Sequence, residues 1–308
     1  MPVRHPRFVL PFAALLSTFT LPAHAADTPA PSAADIVKQS AATDWRPLDP
    51  QNTLLMELNG SQVIMELAPR FAPRHAANIR TLTRERYYDG LVVLRVQDNF
   101  VTQWGDPSEE EKEKAKLKPL GGADAHLPAE FSVPLAGMPL TRLRDSDGFA
   151  AVTGFVDGVP VAADPKLNKA WIPHCYGVVG AARGNEVDSS NGSGLYVIIG
   201  QAPRALDLNI TVVGRVLKGM EALSGLPRGM GPMGFYEKPE QYVPIRRVRL
   251  LADIPAGERP ALEVMRTDTP TWAAWVEARR HTSGDWYVHS PEHVDVCNLA
   301  VPTRVPTQ

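Results

Sequence analysis

Short hydrophobic runs separated by turn-forming residues are the main pattern in the central part of the sequence. Two such runs, 54–58 and 62–67, lie on either side of Asn59-Gly60. Asn-Gly between two alternating runs is the strongest local signal for a β-hairpin, because both residues tolerate positive φ. The next segment, 69–86, has hydrophobic residues at helical spacing and therefore predicts a helix that leads into another strand.

The rest of the chain continues this pattern and predicts a mainly β fold. Apolar runs at 174–183, 191–199 and 211–216 predict strands of a buried core. A further strand is predicted at 241–251. Near the C-terminus, 270–280 has two tryptophans and a valine on one side at helical spacing, which predicts a short amphipathic helix.

The most informative stretch is 93–107, where two short hydrophobic strands are separated by a polar turn. Arg95 and Gln103 lie among Val, Leu and Phe residues, and a long polar side chain is costly to bury without a partner. Together with Phe100, these side chains can line one pocket on the surface of a sheet. The alternative is a pair of ordinary strands whose long polar side chains reach back to solvent.

The same stretch resembles the signature of the cyclophilin family, in which an Arg strand is followed by Phe-x-x-Gln-x-Gly-Asp. The matching residues are Arg95, Phe100, Gln103, Gly105 and Asp106. The preceding order of hairpin, helix and Tyr-Tyr-Asp-Gly resembles the family as well, and so do the later strand blocks. The resemblance implies a mainly β fold, a closed eight-stranded antiparallel barrel capped by two helices.

The resemblance also divides the chain into segments. It places a cyclophilin-like domain at 51–230, with an insertion at about 132–173, and a C-terminal extension at 231–308 that packs on the barrel. Within the insertion, 149–161 predicts an added hairpin, and the insertion is a lid, a partner surface or a decoration. Residues 26–50, rich in Ala, Pro and Ser, are predicted to be a linker.

The family resemblance implies a peptidyl-prolyl cis-trans isomerase, which rotates X-Pro bonds in proline-containing polypeptides. That reaction needs a cationic donor beside the amide and an apolar cup for the proline ring, and it requires no cofactor or metal. Arg95 is implied as the catalytic guanidinium, acting with Phe100 and with Gln103, which would hold the peptide backbone. The implied substrate-binding residues, in the cup or along the neighbouring strand, are Val101, Ala182, Arg183, Tyr196 and Leu206.

Several positions depart from the family pattern. Gly194 replaces a Gln that supports the Arg, Ile210 replaces a His beside the pocket, and Trp104 stands where Gly is usual and is expected to cover or narrow the groove. Val101 replaces a Met, and Ala205 replaces a Trp that contacts cyclosporin. We therefore expect weaker or differently selective catalysis and poor cyclosporin binding. The alternatives are a catalytically inactive peptide-binding protein or chaperone and, more distantly, a β-rich hydrolase, for which no nucleophile is evident.

The N-terminus has the pattern of a secretory signal peptide. Basic residues precede an apolar run at 8–21, and Ala23-His24-Ala25 is a small-x-small cleavage site. We predict a signal peptide at 1–25 and a periplasmic protein, with an uncleaved anchor or secretion to the medium as alternatives. The hydrophobic fraction of 44% suits a packed core, and the formal net charge of −2 gives no electrostatic case for nucleic acid or an anionic membrane.

Cysteine and histidine positions add little further chemistry. Cys175 and Cys297 can form a disulfide in an oxidising compartment, or they can both be free and buried, because sequence does not give their separation in space. His75, His126 and His174 share no metal-ligand spacing, so surface or packing roles are favoured. The oligomeric state stays open.

Overall fold

A computed structural model of the chain describes Met1 and residues 30–109, 116–282 and 286–306. The predicted signal peptide at 1–25 therefore lies outside the described residues, apart from Met1. Within the described residues the chain forms helices α1 to α4, at Ala33–Gln39, Pro73–Arg84, Met220–Ser224 and Pro270–Arg280. Of the helices described, none has the length and apolar character needed to cross a membrane.

Sixteen strands accompany these helices in the described part of the chain. Those before the insertion are β1 (Trp45–Pro47), β2 (Thr53–Leu58), β3 (Ser61–Leu67), β4 (Val92–Val96) and β5 (Val101–Gly105). Those within the insertion are β6 (Val133–Pro134), β7 (Thr141–Arg142), β8 (Val152–Val156), β9 (Val159–Asp164) and β10 (Lys169–Trp171). Those after it are β11 (Val178–Ala181), β12 (Leu195–Ile198), β13 (Val212–Lys218), β14 (Val243–Leu250), β15 (Glu263–Met265) and β16 (Thr303–Arg304).

Eight of these strands close into an antiparallel barrel in the order β11-β12-β5-β4-β14-β2-β3-β13, which confirms the predicted fold class. The predicted Asn-Gly hairpin is also confirmed, since Asn59 (φ 46°) and Gly60 (φ 79°) form the turn between β2 and β3. Helix α2 contributes Ile79 and Leu82 to the barrel core, and α3 contributes Leu223. The two helices thus complete the hydrophobic interior of the barrel.

The barrel continues further along the chain than we predicted. We expected the domain to end at 230, with 231–308 as an extension, but β14 lies between β4 and β2 and closes the barrel. The bound at 230 is therefore wrong, and the barrel runs to Leu250. The local pattern predicts the strand itself, but its partners lie far earlier in the chain, so the pattern does not say where the strand pairs.

The insertion predicted at about 132–173 forms a sheet of five strands in the order β6-β10-β9-β8-β7. Its β8–β9 hairpin turns at Asp157 (φ 52°) and Gly158 (φ 83°), which confirms the hairpin predicted there. Phe155 of β8 packs edge-on against Trp272 of α4, with their ring centroids 4.9 Å apart. The insertion and the C-terminal extension therefore share a hydrophobic core.

The segment before β2 is more ordered than the linker predicted at 26–50. Ser32 and Asp35 form a capping box at the start of α1. Strand β1 pairs with β15 of the C-terminal extension, which places Trp45 opposite Met265. The linker prediction is wrong over the described part of this segment, because a short capped helix and a short strand need few hydrophobic residues when a distant segment supplies the packing partner.

A disulfide between Cys175 and Cys297 joins the residues just before β11 to the C-terminal extension. The sequence left this pairing open. Cys175 is buried in the core shared by the insertion and the extension, near Val296 and Leu299. The disulfide therefore links the barrel to the last described part of the chain.

Candidate active site

Arg95 and Gln103 face each other across the antiparallel pair β4–β5. The register of this pair shifts between Val93 and Arg95, and Trp104 lies opposite Val93. Trp104 is 1% exposed and packs in the barrel core. Successive residues of a strand point to opposite faces, so Gln103 on the outer face requires Trp104 to point inward. Our expectation that Trp104 covers or narrows the groove is therefore wrong.

The guanidinium of Arg95 is oriented by hydrogen bonds to its neighbours. Its Nε donates to the carbonyl oxygen of Met233 over 2.8 Å. Its Nη1 donates to Oε1 of Gln103 over 3.0 Å, and its Nη2 donates to Oε1 of Gln97 over 2.5 Å. The support that we expected to be lost with Gly194 is thus supplied from other positions, Gln97 and Met233.

Two aromatic rings flank Arg95. The guanidinium carbon Cζ lies 5.6 Å from the ring centroid of Phe100 and 5.3 Å from that of Phe235. Both distances allow cation–π attraction. The sequence analysis missed Phe235, which lies outside the recognised motif and far from Arg95 in the chain. Gln97 was also missed, although its place two residues after Arg95 in an extended chain was a usable signal.

A groove of about 370 Å³ opens beside these side chains. It brings together all the residues that the sequence assigned to the site, namely Arg95, Phe100, Val101, Gln103, Ala182, Arg183, Tyr196 and Leu206. Ile210, which the sequence placed beside the pocket, also lines the groove, and so do four residues that had no assigned role, namely Gly184, Asn185, Met233 and Phe235. Both polar and apolar side chains line the groove, which suits a peptide with a polar backbone and an apolar ring.

The floor of the groove is an apolar cup that is closed to water from below. Val101, Tyr196 and Ile198 form a buried cluster, and Phe100 and Ile210 pack at its edge. A cup of this kind favours an apolar ring over a polar side chain, because a polar group would lose its hydrogen bonds to water on entering it.

The ring of Tyr196 occupies space that Gly180 leaves open. A Cβ atom added at Gly180 would lie 2.3 Å from Cζ of Tyr196, which is too close for any real contact. The space lets the Tyr196 hydroxyl reach Nε2 of His174, 3.0 Å away. Burial raises the pKa of Tyr196 above its ordinary value, so the hydroxyl stays protonated and donates a hydrogen bond to Nε2 of His174.

Behind the cup, a chain of buried polar groups leads to the insertion. Nδ1 of His174 lies 3.1 Å from Oδ1 of Asp207 and donates to it, because an ionised carboxylate can only accept. Oδ2 of Asp207 accepts from Nε of Arg204 over 2.7 Å and from Nε1 of Trp171 over 3.0 Å. Arg204 also pairs with Asp147 of the insertion over 2.9 Å. His174 thus has a buried structural role.

The charge of Asp207 is stabilised by this network. Burial alone would raise the pKa of Asp207, but hydrogen bonds from His174, Trp171 and Arg204 outweigh it and hold the pKa below the ordinary value of 3.8. A carboxyl group whose pKa is lowered by folding stabilises the protein above its unfolded-state pKa, and the contribution is lost as the pH falls through the folded-state pKa.

We expect Asp207→Asn to lower the free energy of unfolding by about 2–3 kcal/mol at pH 7, because it removes charge-assisted hydrogen bonds from a buried site. Asn does not titrate, so the difference from the wild type should shrink below about pH 4. Urea unfolding between pH 7 and pH 2.5 measures both effects. Exposed Asp188, changed to Asn, is the matched control and should stay within about 0.5 kcal/mol of the wild type at pH 7. If the difference in free energy of unfolding between Asp207→Asn and the wild type did not change with pH, the ionised form of Asp207 would not be the stabilising one.

One group of side chains has the order of a hydrolase triad but is enclosed. Oε2 of Glu130 lies 2.8 Å from Nδ1 of His75, and Nε2 of His75 lies 3.0 Å from Oγ of Ser190. His75 is 0% exposed and Ser190 is 1% exposed, so a substrate cannot reach the hydroxyl. Glu130 also accepts the backbone N–H groups of Arg74 and His75, which anchors the start of α2. This cluster is structural.

The described residues also offer no obvious place for a metal ion. Within the described ranges, no three His, Cys, Asp or Glu side chains are grouped in a way that could hold one.

An eight-stranded antiparallel barrel with an arginine-centred groove beside an apolar cup is the architecture of the cyclophilin class. The chain belongs to the family described as cyclophilin-type peptidyl-prolyl cis-trans isomerase, whose model matches residues 53–250. That match ends at the last residue of β14, in agreement with the closed barrel.

Two comparisons with individual proteins agree with the family assignment. A probable peptidyl-prolyl cis-trans isomerase of Brucella suis is 29% identical over 185 residues, which cover 59% of this chain and 74% of that protein. The crystal structure of cyclophilin AquaCyp293 from Hirschia baltica has a TM-score of 0.67 and 26% identity, covering 86% of this chain and 95% of the other. The structural likeness thus extends beyond the family domain. The chain is a cyclophilin-type peptidyl-prolyl cis-trans isomerase.

Proposed function

We propose that this enzyme rotates X-Pro bonds in exported proteins, with Arg95 as its catalytic residue and the apolar cup as its proline site. The observation that carries the proposal is the position of the Arg95 guanidinium, held beside the cup between the rings of Phe100 and Phe235. An X-Pro substrate has an apolar ring joined directly to an amide nitrogen. The groove offers an apolar surface for the ring and a cation for the nitrogen.

The proposed mechanism stabilises a twisted amide. The barrier of about 18–20 kcal/mol arises from the partial double-bond character of the peptide bond. When the bond twists, the prolyl nitrogen loses conjugation and becomes a hydrogen-bond acceptor. An N–H group of Arg95 that donates to this nitrogen stabilises the twisted state more than either planar state, which lowers the barrier. No covalent bond forms or breaks.

The other groove residues hold the substrate in this geometry. In our proposal Phe100, Val101 and Leu206 enclose the proline ring above the Tyr196 floor. Oε1 of Gln103 already accepts from Arg95, so the amide nitrogen of Gln103 is the end that donates to a peptide carbonyl. Ala182 and Arg183 follow β11 along the rim, and we assign them to the substrate backbone.

The second candidate function is peptide binding without turnover, which is favoured by Ile210, a groove residue that stands where the family often has a His. Exchange between the cis and trans forms of an Ala-Pro-Phe type peptide, measured by magnetisation-transfer NMR, separates the two. We expect a catalytic amount of the protein to accelerate the exchange, with saturation as peptide concentration rises. Peptide binding that leaves the exchange rate unchanged would favour the binding function instead.

We further propose a periplasmic location. The signal-peptide pattern supports it, and so does the disulfide, since disulfides persist in oxidising compartments. Expressed at full length in a Gram-negative host, the chain should appear in the periplasmic fraction with its N-terminus at Ala26 and without free thiols. Changing Leu15 and Leu16 to Arg, which interrupts the apolar run, should keep it in the cytoplasm. If the wild-type protein stayed in the cytoplasm at full length with two free thiols, the proposal would be contradicted.

A further inference from the structure

The loop at 228–236, between α3 and β14, adds a wall to the groove. Strand β14 pairs with β4 only at Val92 and Val93 in the described register. Beyond that point the loop takes its place, since Gly229 donates its backbone N–H to the carbonyl of Val96 over 2.9 Å. The backbone N–H of Tyr236 likewise donates to the carbonyl of Leu94 over 2.9 Å, and Arg95 and Phe235 form a β-bridge.

This loop is fixed at both ends by polar side chains. Nε of Arg228 donates to Oδ1 of Asp98, in the β4–β5 turn, over 2.9 Å. Nη1 of Arg228 donates to the carbonyl oxygen of Leu226 over 2.8 Å. At the other end, the hydroxyl of Tyr236 donates to the carbonyl oxygen of Pro227 over 2.6 Å. The loop is therefore attached to β4, which carries Arg95, and to the turn that follows β4.

The tip of the loop approaches the residue that follows β4, Gln97, so closely that it depends on glycine. A Cβ atom added at Gly234 would lie 2.6 Å from Cα of Gln97. Met233 has a φ of 54° and Gly234 a φ of 80°, and positive φ is uncommon for a residue with a side chain such as Met233. Strained backbone of this kind persists where the surroundings enforce it, often at functional sites. Here it turns the Met233 carbonyl toward Nε of Arg95.

The loop also exposes apolar side chains beside the groove. Met233 is 65% exposed, and both Met233 and Phe235 line the groove. Phe235 is bridged to Arg95 on the edge of β4 opposite β5, and its ring lies at a distance from the guanidinium similar to that of Phe100. We place the substrate with its proline ring against Phe100 and its prolyl nitrogen facing Arg95. In this position the residues next to the proline lie beside Phe235. Consecutive Cα atoms are about 3.8 Å apart, so a residue within two positions of the proline reaches this wall.

We propose that Met233 and Phe235 form a specificity wall that binds a large apolar side chain within two residues of the substrate proline. The inference rests on the proposed isomerase function, because it takes the cup and Arg95 as the site of the proline. The favoured substrates are then exposed hydrophobic segments of unfolded polypeptides. The wall stabilises their binding by burying apolar surface of the substrate against Met233 and Phe235.

A peptide series tests the wall. The parent is Ala-Ala-Pro-Ala-Ala with blocked ends, and in four further peptides one of the alanines is replaced by Phe. We expect at least one Phe peptide to have a kcat/KM about tenfold above the parent with the wild-type enzyme, mainly through KM. In a variant with both Met233→Ala and Phe235→Ala, this preference should fall to about twofold or less. Met230→Ala is the matched control, since Met230 lies in the same loop, is 79% exposed and does not line the groove.

The ratio between peptides separates a specificity wall from a structural effect. Loss of Phe235 also removes a ring beside Arg95, which lowers turnover of all peptides alike and leaves the ratio unchanged. Equal kcat/KM values for all five peptides in the wild type would overturn the proposal, as would a preference that survives in the double variant. If the wild type has no isomerase activity, the proposed function fails separately. NMR titration then gives Kd values for the same peptides, and the same ratios test the wall.

Discussion

Replacing Arg95 with alanine should lower the rate of X-Pro exchange by about 100- to 1,000-fold, the usual cost of removing a donor that stabilises a transition state. The guanidinium is held beside the cup by Met233, Gln103 and Gln97, so its N–H groups are oriented before the substrate binds. Alanine removes both the charge and the donors. The peptide KM should change much less than kcat, because the substitution leaves intact the cup that we propose as the proline site.

A lysine at position 95 separates charge from geometry. Lysine keeps the positive charge but lacks the planar guanidinium that donates to Met233, Gln103 and Gln97 at the same time. We expect the kcat of Arg95→Lys to lie between those of the wild type and Arg95→Ala, and to be at least tenfold below that of the wild type. Arg246→Ala, at an exposed position in β14, is the control and should retain full activity. Near-normal exchange with Arg95→Ala, in protein that unfolds at the wild-type temperature, would remove Arg95 from the mechanism.

Loss of the disulfide should have the largest effect on stability. The bond joins Cys175 and Cys297, which are 122 residues apart in the sequence. Closing a loop of that length restricts the unfolded chain, and the chain-entropy model gives a stabilisation of roughly 5 kcal/mol. We expect Cys297→Ser to lose most of this in urea unfolding, and reduction of the wild type to have the same effect.

The double variant Cys175→Ser with Cys297→Ser controls for side effects of single substitutions. It should match the reduced wild type within about 1 kcal/mol, because both lack the same cross-link. If reduction leaves the unfolding midpoint of the wild type unchanged, the disulfide contributes no net stability. That outcome would contradict the prediction.

Local features were predictable from the sequence, and long-range pairings were not. The Asn59-Gly60 turn and the helix at 270–280 depend on neighbouring residues, and both formed as predicted. Strand β14 was predicted as a strand, but its place in the barrel depends on partners near the other end of the domain. The same limit explains the linker error, because β1 is ordered by pairing with β15, more than 200 residues later.

The groove was predictable as far as the family motif reached. Arg95, Phe100 and Gln103 are close in sequence, and the motif fixes their relation, so the structure places them together. Met233 and Phe235 come from a loop outside the motif, and no local pattern connects them with Arg95. The inward position of Trp104 could have been predicted, because successive residues of a strand alternate in direction and Trp104 follows Gln103.

The network of buried polar side chains behind the cup limits how the insertion can be removed from this enzyme, by design or in evolution. Arg204 is 4% exposed on its side chain and pairs with Asp147, which belongs to the insertion. An engineer who trims the insertion to obtain a minimal barrel would remove the carboxylate of Asp147 and leave part of the charge of Arg204 uncompensated. A lineage that lost the insertion would meet the same obstacle and would have to change Arg204 at the same time. The ion pair therefore couples the insertion to the barrel domain.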